Sequence, residues 1–193
     1  MTDTPLNVSS GNAEREAGED CPPVNQGETN EFSGASVTSA PRILVLGYGN
    51  PGRQDDGLGP ALAAEIERMN LSGVTTCDNY QLVIEDSVDV AANDIVWFVD
   101  ASLNGAEPYE VYEITPADEI AFSSHTVKPE VILALAETYY GKRPIAYLMG
   151  IRGYEFAFAE GLTDRAAENL RHAVAHTAEA IRASIPPMAG AAE

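Results

Sequence analysis

An α/β fold is predicted by three features of this chain. Apolar runs rich in branched residues recur as candidate strands, most clearly at Ile43–Leu46, Ile95–Val99 and Pro144–Ile151. Stretches with helical spacing lie between or after them, with Leu58, Leu62, Ile66 and Met69 on one face and Ala167, Leu170, Val174, Ala178 and Ile181 on another. The first strand also runs straight into a glycine turn and a helix start, Arg42-Ile-Leu-Val-Leu-Gly-Tyr-Gly-Asn-Pro-Gly-Arg-Gln-Asp-Asp-Gly-Leu-Gly59. In an open α/β sheet the loop leaving the carboxyl end of a strand is where ligands bind.

Taken in order, residues 1–41 read as an acidic tail. Asp3, Glu14, Glu16, Glu19, Asp20, Glu28 and Glu31 face a single Arg15 among small and polar residues. Such a segment buries too little apolar surface to offset its ordering entropy, so disorder is expected. The domain is expected over 42–185, with a frayed end at 186–193. Its first strand is about 42–48, its first helix 58–70 and its second strand 73–77. A short helix is expected over 82–92, with Leu82, Val83, Val88 and Val90 partly buried. Ile95-Val-Trp-Phe-Val-Asp100 is apolar throughout until its final carboxylate, as in a central strand covered on both faces. Residues 109–115 alternate and read as an edge strand. A loop to Val127 precedes a helix from Pro129 to Tyr140, with proline at its favoured start. A further strand, 144–151, a turn-rich connector and a last long helix opening at Thr163 complete about five strands.

The 193 residues carry a net charge of −19, which disfavours nucleic acid backbones and anionic membranes and favours cations or basic peptide segments. No apolar run is long enough to span a bilayer, and the first residues lack a signal pattern. Cys21 and Cys77 suggest no disulfide framework, so a cytoplasmic, reduced setting is expected.

Gly47-x-Gly49-x-x-Gly52 fits the dinucleotide pattern only weakly. A pyrophosphate needs the N–H groups and positive end of a helix start. Here Asp55 and Asp56 would repel it, and Arg53 alone is positive nearby. Either aspartate could cap the helix. Two adjacent carboxylates repel, however, and a divalent cation or a shared proton would relieve them. Both readings remain open on this stretch.

Histidine is scarce. His172 and His176 stand four apart and are expected to face solvent near a helix end; Ala173 occupies the position where a zinc-protease helix carries its glutamate. Ser123 and Ser124 adjoin His125 without a nucleophile elbow, and Cys77 has no local base. His125 lies near a helix N-terminus, which favours a neutral imidazole. Asp56, Asp100 and His125 are left, each beside a regular element on what should be one edge of the sheet. Two carboxylates and an imidazole can hold a borderline divalent cation with positions left open.

These residues carry a family resemblance. Gly47-Tyr-Gly-Asn-Pro-Gly-Arg-Gln-Asp-Asp-Gly-Leu-Gly59, Phe98-Val-Asp-Ala101 and Ser124-His-Thr126 resemble, in order and spacing, the nickel–iron hydrogenase maturation endopeptidases. Gly150-Ile151 and Gly161-Leu162 are also similar, and the likeness spans about 42–184. It implies a three-layer α-β-α sandwich around a twisted, mostly parallel sheet. It implies removal of a C-terminal extension from a hydrogenase large-subunit precursor after nickel insertion. It places the metal-recognising and catalytic groups on Asp56, Asp100 and His125, with the nickel carried by the substrate and no tightly held ion required. Asp55 would be a neighbour or a cap. The first acid is aspartate where some relatives carry glutamate, and the acidic leader is extra. A monomer is expected. The competing classes are a nickel-binding chaperone or docking module without hydrolysis, and a nucleotide-binding oxidoreductase.

Overall fold

The computed structural model describes residues 40–120 and 127–185. Its elements are β1 (Ile43–Tyr48), α1 (Leu58–Arg68), β2 (Val74–Asn79), α2 (Asp86–Ala92), β3 (Ile95–Ser102), β4 (Tyr109–Ile114), α3 (Pro129–Tyr140), β5 (Ile145–Arg152) and α4 (Asp164–Ser184). The strands form one sheet in the order β2-β1-β3-β5-β4. β1 pairs in parallel with β2 and β3, and β3 with β5; β4 alone runs antiparallel, on the edge beside β5. The expected fold class, with β3 central and 109–115 at the edge, is the observed one.

The period-2 geometry of a strand sends successive side chains to opposite faces. Leu44 and Leu46 of β1 and Val96 and Phe98 of β3 therefore meet one helical layer, including Val90 of α2 and Ile132 of α3. Ile43, Val45, Trp97 and Val99 point the other way, to Leu62 of α1 and Ile181 of α4. Both faces of β1 and β3 are covered, which is why their sequences are apolar without alternation.

Several side chains sit differently from the sequence expectation. α2 is seven residues long, and its approach leaves Val83 and Val88 at 37% and 49% exposure. The buried face of α4 includes the expected Ala178 and Ile181 and also Ala166, Asn169, Ala173 and Thr177, with Leu170 and Val174 flanking them half-covered. Small residues lie at the closest approach because the helix axis sits tight against the sheet. His176 does not face solvent with His172. Its ring packs 5.2 Å from Tyr109 and edge-on to Trp97. Cys77 is 5% exposed, in the core layer with Leu82 and Val90; Cys21 lies outside the described residues.

The glycines after β1 serve packing. A Cβ on Gly47 would lie 2.1 Å from the Gly59 carbonyl oxygen, so strand and helix touch backbone to backbone. Gly49 has φ +139°, and a Cβ there would lie 2.0 Å from the Asp56 carbonyl oxygen. Close approach, not phosphate cradling, explains the Gly-x-Gly spacing. Gly49→Ala is therefore expected to cost about 3 kcal/mol or more through strain and overpacking, a fall in Tm of roughly 6–12 °C. Thermal unfolding followed by circular dichroism measures it, with Gly141→Ala, where no neighbour lies within 4 Å of the new Cβ, as the milder comparison.

Candidate active site

The turn after β1 is laid along the connector between β5 and α4. Arg53 bridges to Ala159, and the Gln54 and Asp55 amides donate to the Ala159 and Glu155 carbonyls. Gln54 takes φ 50°, unusual for a side chain with a Cβ. Its amide Nε2 donates to Glu155 Oε2 at 3.1 Å, and its Oε1 accepts from Ala157 N–H at 3.3 Å. Residues 54–57 form a single 3-10 turn that carries both aspartates.

The two aspartates do different things. Asp55 is fully buried. Its Oδ2 accepts from Tyr154 N–H at 2.8 Å, Glu155 N–H at 3.1 Å and the Thr163 hydroxyl at 2.9 Å, and its Oδ1 accepts from Thr163 N–H at 2.7 Å. Burial alone would push this carboxyl up, but the backbone donors from Thr163, Tyr154 and Glu155 outweigh it and hold it below the ordinary range. Thr163 is also the N-cap of α4. Asp55 thus ties the turn to the last helix. Neither aspartate caps α1, whose N-cap is Gly57, so the capping reading is set aside. Asp56 is half-buried, and its Oδ2 accepts from Asn50 N–H at 3.2 Å.

Asp100 stands near the end of β3, and strand register explains its company. Gly47 of β1 pairs with Val99, which brings the next residue, Tyr48, beside Asp100. Tyr48 in turn pairs with Asn79 of β2; Asp100 pairs with Gly150 of β5, and Gly150 with Glu110 of β4. A polar row therefore crosses the carboxyl edge of the sheet on one face, with Gly150 leaving room beside the carboxylate. Burial pushes Asp100 up to about 6; the Ala101 N–H at 2.7 Å opposes this, the charge of Asp56 adds to it, and the Tyr48 hydroxyl opposes it. Burial likewise raises the Tyr48 phenol, as do the charges of Asp100 and Glu130.

Asp56 and Asp100 are thus brought within electrostatic reach of each other, from residues 44 apart in sequence. His125 lies outside the described residues, as do Ser123 and Ser124. Among the described residues no three His, Cys, Asp or Glu side chains group as metal ligands. The two-carboxylate pair nevertheless suits a cation chemically: each acid is an oxygen donor, and a positive charge would relieve both their repulsion and the cost of ionising Asp100. Sequence reading missed Tyr48, Asn50 and the role of Asp55. Asn50 supplies a backbone donor, which no residue type reveals, and Tyr48 reads as a core position. No described helix is long and apolar enough to cross a membrane.

Similarity to known proteins follows from this geometry. No family model matches, and no curated protein matches. Solved structures do. The chain is similar to a [NiFe] hydrogenase maturation protease HycI from Thermococcus kodakarensis KOD1, at 22% identity and TM-score 0.58, over 76% of this chain and 95% of that one. It is similar to the hydrogenase maturating endopeptidase HybD from E. coli at 23% and 0.57, over 74% and 93%. It is also similar to a hydrogenase 2 maturation peptidase from Thaumarchaeota archaeon SCGC_AB-539-E09 at 22% and 0.54, over 73% and 98%. These likenesses establish a shared fold.

Two stability outcomes follow. An Asp100 carboxyl raised in the folded state binds protons that the unfolded chain has released, so stability falls as pH rises from about 4 to about 6 and stays lower above. Asp100→Asn removes this penalty: the variant is expected to be more stable than wild type at neutral pH by on the order of 1–3 kcal/mol, with the gain vanishing below about pH 4. Asp55→Ala has the opposite sign. It strands buried donors and is expected to lose more than about 3 kcal/mol at neutral pH, far more than Asp56→Ala, in urea unfolding.

Proposed function

We propose that this chain is an endopeptidase of nickel–iron hydrogenase maturation, which cuts a C-terminal extension from the large-subunit precursor once nickel is in place. The observation that carries the reading is the pair Asp56–Asp100: two carboxylates set at the carboxyl edge of the sheet, one of them raised to about 6 by burial and by the other. The fold shared with proteins named as hydrogenase maturation proteases, together with the motif resemblance, supplies the reaction class.

In this reading Asp56, Asp100 and His125 contact the nickel that the precursor brings. The ion favours the ionised form of Asp100 and removes the repulsion from Asp56. Nickel then serves at the scissile carbonyl as a Lewis acid or as the carrier of the attacking water. Water adds across the peptide bond, its oxygen to the carbonyl carbon and its protons to the new carboxyl and amine ends. Without nickel the carboxylates repel one another and the site lacks its electrophile, so cleavage reports metal insertion.

The test is incubation of purified protein with nickel-loaded and nickel-free precursor, with the product mass measured. The extension is expected to leave only the loaded precursor. Asp56→Asn, Asp100→Asn and His125→Ala are each expected to slow cleavage by roughly 100-fold or more, as loss of an electrostatic catalytic group does. An intact precursor that stays bound to the wild-type protein would point instead to a docking module without hydrolysis. Normal cleavage by all three variants would refute the assignment of the site.

A further inference from the structure

β1 carries a single polar side chain, Tyr48, and places it at its last position. The alternation of the strand sends Tyr48 to the face that also holds Leu44 and Leu46, and Asp100 shares that face with Val96 and Phe98 of β3. The Tyr48 ring is partly buried against this apolar layer. The pairing of Gly47 with Val99 puts the next residue of each strand, Tyr48 and Asp100, side by side, and the phenol is hydrogen-bonded to the carboxylate.

The backbone beneath this bond is held from several sides. Tyr48 pairs with Asn79 of β2, whose carbonyl accepts from Gly49 N–H at 3.0 Å. A Cβ on Gly59 would lie 2.4 Å from the Tyr48 carbonyl oxygen and 2.5 Å from that of Val99, so the first turn of α1 rests on both strands where the pair stands. On its other side Asp100 pairs with Gly150, which has no side chain to offer it. Among the described residues the carboxylate is therefore held by Ala101 N–H, on Oδ1 at 2.7 Å, and by the phenol. Burial and the charges of Asp100 and Glu130 keep that phenol protonated, so it remains a donor to its neighbour. A phenylalanine ring would fill the apolar layer equally well, and the hydroxyl is the part that packing does not require.

We propose that Tyr48 is a positioning residue: its hydroxyl, brought to Asp100 by the register of β1 on β3, holds the carboxylate in the orientation that meets an incoming cation. With both donors in place the carboxylate cannot swing away without breaking a charge-assisted bond. Partners that hydrogen-bond a ligating carboxylate orient it and so set its affinity for the ion. Tyr48 acts through Asp100 and takes no part in making or breaking a bond. The effect on cleavage rests on the endopeptidase reading; the effect on ion binding does not.

The test is calorimetric titration of Ni2+ into the full-length protein at neutral pH, with wild type, Tyr48→Phe and Tyr112→Phe compared. The affinity read is the one that Asp100→Asn removes, since a chain with 30 Asp and Glu offers ions other places. Both tyrosine variants delete a hydroxyl that meets a carboxylate, because Tyr112 is hydrogen-bonded to Glu110 on the edge strand. Tyr48→Phe is expected to weaken this binding by roughly tenfold or more while cooperative thermal unfolding is retained, and Tyr112→Phe by less than about twofold. Cleavage of nickel-loaded precursor is expected to fall by a similar factor in Tyr48→Phe. Unchanged affinity in Tyr48→Phe, equal weakening by both variants, no Asp100-dependent binding to wild type, or a loss that comes with the disappearance of cooperative unfolding overturns the proposal. Weakened Ni2+ binding in Tyr48→Phe, where the wild type cuts no precursor, sinks the endopeptidase reading and leaves the positioning role standing.

Discussion

The structure depends on one buried, fully hydrogen-bonded carboxylate. Asp55 is buried at the point where the turn after β1, the connector after β5 and the N-terminus of α4 meet. Three backbone N–H groups and one hydroxyl converge on it. Hydrogen bonds to an ionised group are each stronger than neutral ones, and all are lost together if the carboxylate goes. With Asp55 fixed, the next residue has little freedom, so Asp56 is aimed by its neighbour. The two aspartates differ: one holds the backbone, and the other lies within electrostatic reach of Asp100.

The second constraint is closeness. Gly47 and Gly59 let β1 and α1 meet at backbone distance, and Gly49 accommodates the Asp56 carbonyl. This presses the acidic turn onto the end of β3, where Asp100 stands. The pair that results is not a stabilising feature. Asp100 is raised to about 6 first by burial, and Asp56 adds to the rise. Holding two acids this close carries an electrostatic cost at neutral pH. The tether at Asp55, on the opposite side of the turn, offsets part of that cost. The bonds to Asp55 stabilise the turn, while the charge of the adjacent Asp56 raises Asp100.

Most of the frame was legible in the sequence because the frame rests on period and turn chemistry. Ile95–Val99 announced a central strand, Tyr109–Ile114 an edge, and Pro129 the start of α3. Side-chain facing was less legible. α4 buries Ala166, Ala173 and Thr177 together with the expected Ala178 and Ile181, while Leu170 and Val174 pack against the core half-covered. His176 looked solvent-facing and is packed on Tyr109. The sequence placed Asp56 in the turn before α1 and Asp100 near the end of β3, on one edge of the sheet, and the structure brings the two within electrostatic reach. Tyr48 was not legible, since its neighbour is set by strand register, and neither was the role of Asp55, since its donors lie about 100 residues away in the chain.

The central claim is that Asp56 and Asp100 form one seat for a positive charge. The most direct measurement is the titration of the Asp100 carboxyl carbon by NMR, with and without Ni2+ and in wild type against Asp56→Asn. The account predicts a midpoint near 6 in the free protein, lower in Asp56→Asn, and lower again when Ni2+ is added to wild type. An Asp100 that titrates like an ordinary aspartate, indifferent both to its neighbour's charge and to the ion, would contradict it.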